Sequence, residues 1–269
     1  MKIFSLTLVF GLINQLSFSQ PNCNAFLLQG DTAQFTACKL LEDNLHKHYQ
    51  FSREFHEWVD SAIAICPRFA YAYREKAAPY VKSGNFLEWK KYIDLAVKYD
   101  SLGYLPVRAS LRYKFFADYT GAIEDIELLE KIYIGDIGSS SNGTYHLKVV
   151  KSLCYKKAGN LPKAIQILEA YITEENYSSG PYDLLHLGVM YLESEDYTKA
   201  EKYLEMQNAK YEFAETYYYL ALLHQETGDD EGLSLCKKKA NDLYSINQRM
   251  NDTYNQLIDQ ISHRQIEQL

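Results

Sequence analysis

The residues of this sequence best suited to chemistry are a group of histidines, five cysteines and one acidic run. His46, His48 and His56 lie close together in the chain, and imidazole is a common metal ligand and general base. His46 and His48 are two residues apart, a spacing that puts side chains on different faces of a helix. The spacing therefore argues against a metal ion shared by these histidines.

The acidic run has the character of a solvated helix face. It consists of Glu124, Asp125, Glu127 and Glu130. The sequence shows neither a glycine-rich phosphate loop nor a G-x-S-x-G nucleophile elbow. We therefore predict no catalytic residues, no metal and no cofactor, and a protein that is not an enzyme.

The composition is that of a folded protein without a nucleic-acid footprint. The chain has 269 residues, of which 47% are hydrophobic and 23% charged, as is usual for soluble domains. Its formal net charge is −7, whereas nucleic-acid binding is typically marked by a basic surface. The length allows one or two ordinary domains or one elongated array of repeats.

Residues 1–19 have the pattern of a secretory signal peptide. Lys2 precedes the apolar run Ile3–Ile13, and a polar stretch ending in the small Ser19 follows. The apolar run is short for a membrane span, which needs about 20 residues, although an uncleaved anchor is the alternative. We predict export to the periplasm or the medium, a mature chain that begins at Gln20, and no transmembrane segment once the signal is removed.

Export would allow disulfides to form. Cys23 lies in the predicted N-terminal segment 20–37, and Cys38 directly follows that segment. The two cysteines flank a short stretch before the first predicted helix. No C-x-x-C spacing is present, which argues against a zinc ribbon or a thioredoxin-like site. We consider Cys23 and Cys38 a disulfide candidate, and the sequence leaves open whether they are bonded.

The clearest helical pattern runs from Tyr182 to Ala200. Apolar side chains recur there at three- and four-residue steps, and Gly188 lies on the same helix, where a small residue such as Ala200 on the next helix could approach. This stretch resembles the first half of a tetratricopeptide repeat (TPR) through Leu187-Gly188, Tyr191 and Ala200. The TPR pattern is W-x2-L-G-x2-Y before a later Ala, and it repeats with a period of about 34 residues.

Weaker copies of this pattern fill most of the chain. The position of Ala200 recurs at steps of 34, 33, 42, 36 and 33 residues along the series Phe55, Trp89, Ala122, Ala164, Ala200 and Leu233. Loops at Ile134–Tyr145 and Glu174–Pro181 account for the long steps. The resemblance implies an all-α α-solenoid of about six TPR-like helix pairs over 38–240, and 241–269 is predicted to be a polar C-terminal capping helix.

In TPR proteins the first helix of each pair lines a concave face, where partners usually bind. The resemblance therefore implies a protein or peptide partner and these groove residues: Tyr71, Arg74, Lys82, Tyr104, Lys114, Phe115, His146, Lys156, Lys157, Tyr182, Val189, Glu193, Glu215, Tyr218 and Gln225. Lys114 and Lys156 could hold the acidic part of an extended peptide, or be solvated lysines at helix ends. The alternative functions are a glycan-binding or hydrolytic envelope protein and a purely structural envelope subunit.

Overall fold

The computed structural model describes residues 20–269, and the predicted signal peptide at 1–19 lies outside the described residues. The chain divides into two compact units, with the boundary between Lys76 and Ala77. Within the described part all regular structure is helical, with one isolated β-bridge between Ser139 and His146. None of the helices in residues 20–269 has the length and apolar character needed to cross a bilayer.

The first unit is organised around an antiparallel helix pair. Its helices are α1 (Cys23–Leu28), α2 (Thr32–Asn44), α3 (Arg53–Ile65) and the first part of α4 (Ala70–Lys82), which crosses the boundary. The core of this unit contains Leu41, Val59 and Phe69, all essentially inaccessible to solvent. A disulfide joins Cys23 on α1 to Cys38 on α2, the pair considered from the sequence, and so attaches the short first helix to the pair α2–α3.

The second unit continues with helices that pack in consecutive antiparallel pairs. They are α5 (Phe86–Tyr99), α6 (Ser101–Leu111), α7 (Tyr119–Ile132), α8 (Leu147–Lys157), α9 (Leu161–Ile172), α10 (Asp183–Glu193), α11 (Tyr197–Lys210), α12 (Ala214–Thr227), α13 (Asp230–Ser245) and α14 (His263–Glu267). A π-helical turn, Arg112–Phe116, extends α6. The two predicted loops fall between α7 and α8 and between α9 and α10. The predicted all-α, TPR-like class of fold is confirmed.

Each second helix of a pair begins with the same kind of N-cap. A polar side chain accepts a hydrogen bond from a backbone N–H three residues later and so satisfies a donor that the helix leaves unpaired. These caps are Ser52, Asn85, Asp118, Asn160, Asp196 and Asp229. From Asn85 onward the cap stands four residues before the recurring position. In α3 the cap stands three residues before Phe55. The alignment on Phe55 still holds, because Phe55, Val59 and Ala62 are buried at the same spacing as Trp89, Ile93 and Ala96 in α5.

Gly188 allows α10 and α11 to pack closely. A Cβ atom at this position would lie 2.7 Å from Leu204 Cγ and 3.2 Å from the Leu204 backbone nitrogen. The sequence assigned this approach to Ala200, but Leu204, one turn further along α11, lies nearest. The glycine is needed because the neighbour includes backbone, which cannot rotate away.

We expect Gly188→Ala to lower the free energy of unfolding by about 1–2 kcal/mol. The added methyl group overpacks the contact with Leu204, and the cost exceeds the roughly 1 kcal/mol that alanine gains over glycine in a helix. Chemical denaturation followed by circular dichroism measures the change. Ser234→Ala, at an exposed position of α13, is the control and should have almost no effect; equal stability of both variants would contradict the close packing.

One member of the acidic run is not solvated, contrary to the sequence-based interpretation. Asp125 is 3% exposed and accepts a hydrogen bond from Arg108 Nε at 3.0 Å. Arg112 Nη1 also lies 3.4 Å from the Asp125 carboxylate. Burial raises the pKa of Asp125 despite these two guanidinium groups. Asp125 therefore ties α7 to α6 and the π-helical turn, whereas Glu124 and Glu127 are exposed.

Residues 241–269 do not form the single helix that the sequence predicts. α13 ends at Ser245, Asn247 has a left-handed φ of 61°, and helix resumes only in α14. The predicted apolar stripe is divided, because Met250, Leu257 and Ile261 are buried while Ile246 and Tyr254 are exposed. The intervening chain runs over the other helices of the second unit, where side chains of those helices bind it.

Candidate functional site

The candidate site is the surface on which residues 246–262 lie. We call these residues the C-terminal segment. The side chains that hold it come from first helices of successive pairs: the π-helical turn after α6, α8, α10 and α12. We call this surface the first-helix face. It is the surface for which the sequence predicted an extended acidic peptide, and here the chain's own C-terminal segment lies on it.

The first anchor of the segment is Asp252. Its Oδ2 lies 2.6 Å from Lys114 Nζ, and both side chains are largely buried. Asn255 Nδ2 donates to the Lys114 carbonyl oxygen at 2.8 Å. Lys114 Nζ also lies 5.7 Å from the ring centroids of Phe115 and Tyr254, within the range of a cation–π interaction. Lys114 thus binds the segment through charge, backbone and ring contacts.

The second anchor is Asp259, whose carboxylate binds two basic side chains. Oδ1 lies 2.7 Å from Lys156 Nζ and Oδ2 lies 2.7 Å from His186 Nδ1. His186 is fully buried, and its Nε2 lies 3.0 Å from the Tyr145 hydroxyl. Tyr219 donates its hydroxyl to the Asp259 carbonyl oxygen at 3.1 Å. Charge-assisted hydrogen bonds of this kind are stronger than neutral ones.

The electrostatics of the two aspartates follow from their partners. Burial works to raise the pKa of Asp259, but the hydrogen bond with His186 and the charge of Lys156 outweigh it and hold the pKa below its usual value. Burial also works to raise the pKa of Asp252, but the hydrogen bond and charge of Lys114, together with the backbone N–H groups of Tyr254 and Asn255, outweigh it and lower the pKa. Both carboxylates are therefore charged when the segment is bound at neutral pH.

The segment's backbone is also recognised. Met250 donates its backbone N–H to Glu215 Oε2 at 2.8 Å, and the backbone nitrogen of Asn251 lies 3.5 Å from the Tyr182 hydroxyl. Glu215 is fully buried, and burial raises its pKa. Gln248 accepts a hydrogen bond through its carbonyl oxygen from the Ala214 backbone N–H at 3.0 Å. Backbone and side chains of the segment are thus both bound by first helices.

The structure brings five of the predicted groove residues against the C-terminal segment. They are Lys114, Phe115, Lys156, Tyr182 and Glu215. Glu193 joins them indirectly, because one of its carboxylate oxygens lies 2.9 Å from Lys156 Nζ. Tyr218 packs against the cluster that contains Ile261.

The remaining predicted groove residues are placed elsewhere. Tyr71 and Arg74 lie on α4 in the first unit, Lys82 ends α4, and Tyr104 packs against the core from α6. His146 caps α8 and contacts Asp136 at 2.7 Å. Val189 is buried in the core, whereas Lys157 and Gln225 are exposed.

Sequence reasoning missed the roles of His186, Asp252 and Asp259. No role is predicted for His186 from the sequence, and the two aspartates fall in the predicted polar capping helix. A signal was available, because Asp252 and Asp259 are the only acidic residues in the segment. They complement the basic residues predicted on the first helices.

The contribution of Asp252 to stability should depend on pH. We expect Asp252→Asn to lower the free energy of unfolding by about 2 kcal/mol at pH 7, the usual loss for a charged hydrogen bond. Because the folded pKa of Asp252 is lowered, the charged contact stabilises the fold above the unfolded pKa of about 3.9 and is lost as pH falls through the folded pKa.

Denaturation of both proteins from pH 7 downward measures this dependence. The difference between the wild type and Asp252→Asn should shrink toward zero at the acid end, where aspartic acid and asparagine are both neutral. A difference that is constant with pH would contradict a charge-based anchor. Thr253→Ala, at an exposed neighbouring position, is the matched control and should follow the wild type throughout.

Comparison with solved structures places this fold among TPR-containing proteins. Similar structures include PilW, described as a widely conserved type IV pilus biogenesis factor, with 10% identity, a TM-score of 0.55, and coverage of 83% of this chain and 90% of PilW. PilF of Pseudomonas aeruginosa has 14% identity, a TM-score of 0.55, and coverage of 80% and 93%. BtubC of P. vanneervenii has 14% identity, a TM-score of 0.51, and coverage of 88% and 96%.

These likenesses concern the fold alone, because the sequence identities are low. No family model matches the chain, and no curated protein matches it either. The function therefore has to be argued from the first-helix face itself.

Proposed function

We propose that this protein is an exported, non-enzymatic helical-repeat scaffold that binds a protein or peptide partner on its first-helix face. One observation carries the proposal. The first helices already bind an irregular stretch of polypeptide by paired charges at Lys114 and Lys156 and by backbone contact at Glu215. The same surface is therefore chemically equipped to recognise an extended chain.

The recognition is of the kind that peptide grooves use. Charged side chains fix the register through Asp252 and Asp259, and a backbone N–H is held independently of sequence by Glu215. Aromatic hydroxyls from Tyr182 and Tyr219 add contacts along the same surface. Aromatic side chains are favoured at binding surfaces because they offer large contact area together with a polar group.

Export is the second part of the proposal. The signal-peptide pattern of residues 1–19 predicts it, and the Cys23–Cys38 disulfide supports it, because disulfides persist mainly in oxidising compartments. Fractionation of the native host, with mass spectrometry of the N-terminal peptide, tests this part. A mature chain that begins at Gln20 and is found outside the cytoplasm is expected, and an intact Met1 on a cytoplasmic protein would refute export.

Partner binding is tested by crosslinking in the native host followed by purification of the tagged full chain. We expect specific proteins to be captured by the wild type. Lys114→Glu with Lys156→Glu should reduce that capture by roughly tenfold or more, since breaking one buried charged contact usually costs 2–5 kcal/mol.

Lys238→Glu is the matched control, because Lys238 is exposed on the second helix α13. Its capture should equal that of the wild type, and circular dichroism must show that all variants are folded. Capture that is unchanged when Lys114 and Lys156 are both reversed would exclude the first-helix face as the binding surface. Absence of any captured protein would argue against the scaffold itself.

A further inference from the structure

The C-terminal segment has the form of a bound peptide rather than of a further repeat. It follows α13 without continuing its helix, and residues 246–262 contain turns and irregular backbone. It reaches the turn after α6 through Asp252, then α8 and α10 through Asp259. A single stretch of chain therefore contacts first helices of three successive pairs, in addition to α12 beside it.

The charges under the segment determine what can occupy this surface. Lys156 is 8% exposed at its side chain and His186 is fully buried. Removing the segment would take away the aspartate that binds both of them, leaving Lys156 with Glu193 and His186 with Tyr145. The loss of a close opposite charge at these largely buried groups is unfavourable. An occupant that supplies carboxylates, one near Lys114 and one near Lys156, would restore the lost contacts.

Only part of the segment is buried against the rest of the unit. Its first residue, Ile246, is 69% exposed, and the middle of the segment is exposed at Thr253 and Tyr254. Its apolar contacts are made by Met250, Leu257, Ile258 and Ile261, and Tyr254 packs against Phe115. Its other contacts are polar. A competing peptide with the same polar groups could reproduce those contacts.

We propose that the C-terminal segment is a built-in ligand of the first-helix face, and that the partner is an acidic, extended peptide segment of another protein that replaces it. The partner carries two carboxylates spaced like Asp252 and Asp259, which are seven residues apart in this chain. This inference rests on the proposed function and adds the chemistry of the partner and its competition with the segment.

A cleavable full chain tests the inference. A site for a sequence-specific protease is inserted after the exposed Ile246, so that cutting leaves the segment in place but no longer tethered. The probe is a fluorescent synthetic peptide of residues 247–269. We expect it to exchange into the cut protein and to bind the uncut protein at least about 100-fold more weakly, because a tethered competitor has an effective concentration in the millimolar range.

The charge requirement is tested with two variant peptides. The peptide with Asp252→Asn and Asp259→Asn should bind the cut protein about 30-fold more weakly or worse, the loss expected from breaking buried charged contacts. The peptide with Thr253→Ala should bind like the unchanged one, because Thr253 is exposed. Equal binding of all three peptides would overturn the inference.

Two further results would also overturn it. A cut protein that keeps its native circular dichroism but never exchanges the probe has a permanently fixed segment. Uncut protein that forms dimers by sharing segments, seen by size-exclusion chromatography, has a second copy as its occupant.

If cutting unfolds the second unit, competition is measured on the uncut chain instead. Excess probe should then speed hydrogen exchange at the Met250 amide, and an unchanged rate refutes the inference.

These outcomes are separate from those of the proposed function. Capture of a protein by the intact chain tests whether it is a scaffold, and exchange of the probe tests whether the segment competes. A scaffold that captures partners while its segment never exchanges would keep the first proposal and remove the second. Exchange without any captured protein would refute the scaffold and, with it, the protein partner assigned to the segment.

Discussion

Replacing Asp259 with alanine is expected to lower the free energy of unfolding of the second unit by about 3–5 kcal/mol. Removing one member of a buried charged group deprives its partners of their closest buried counter-charge, although Lys156 keeps the more exposed Glu193. Here those partners are Lys156 and the fully buried His186, each 2.7 Å from the carboxylate. The hydrogen bond from Tyr219 to the Asp259 backbone remains. The decrease in the free energy of unfolding therefore measures the contribution of the Asp259 carboxylate.

Denaturant titration of the wild type and Asp259→Ala measures this loss, and Lys156→Met completes a double-mutant cycle. Because Lys156 and Asp259 are in direct contact, their coupling energy should be about 1–3 kcal/mol. Asp242→Ala is the matched control, since Asp242 is exposed on α13 and should change stability by less than about 0.5 kcal/mol. A coupling energy near zero would show that Asp259 does not bind Lys156 in solution.

The helix pairs could be predicted from the sequence because each is specified locally. The small residues Ala122, Ala164 and Ala200 are fully buried on second helices, as the alignment required. The polar breaks predicted between repeats coincide with loops. A further local signal went unused, because a capping Asn or Asp recurs four residues before the aligned position in every copy from Trp89 onward.

The course of the C-terminal segment could not be predicted in the same way. Leu243, Ile246, Met250 and Tyr254 recur at helical spacing, but of these only Leu243 lies in α13. Met250 is bound by Glu215, 35 residues earlier, and Tyr254 packs against Phe115 of the π-helical turn. Asp259 binds His186, 73 residues away, and Asp252 binds Lys114, 138 residues away. The local apolar periodicity predicted a helix here, but long-range charge pairing favours the irregular course of the segment.

Asp125 shows the same limit on a smaller scale. Its neighbours Glu124 and Glu127 are exposed, whereas Asp125 lies three residues after Ala122 and four before Leu129, on the buried stripe of α7. Its burial depends on Arg108, which lies 17 residues earlier and on the preceding helix. Charge runs on a helix can be assigned to solvent only after the facing helix is known.

Removing the disulfide is expected to have the second large effect. Cys23→Ser with Cys38→Ser should lower the free energy of unfolding of the first unit by about 3 kcal/mol, the value for closing a loop of about 15 residues in the unfolded chain. The bond spans 15 residues and attaches α1, whose core contacts include Phe26 packed edge-to-face on Phe69 at 5.7 Å. Hydrogen exchange should accordingly show α1 opening first.

The control is Cys154→Ser, a buried free cysteine on α8 in the second unit. Its effect should appear in the unfolding of the second unit and leave protection of α1 unchanged, which separates loss of a cross-link from loss of a buried sulfur. Non-reducing peptide mapping must join Cys23 to Cys38 in protein isolated from its native compartment. Free thiols at both positions there would contradict the cross-link, and would remove the structural support for export at the same time.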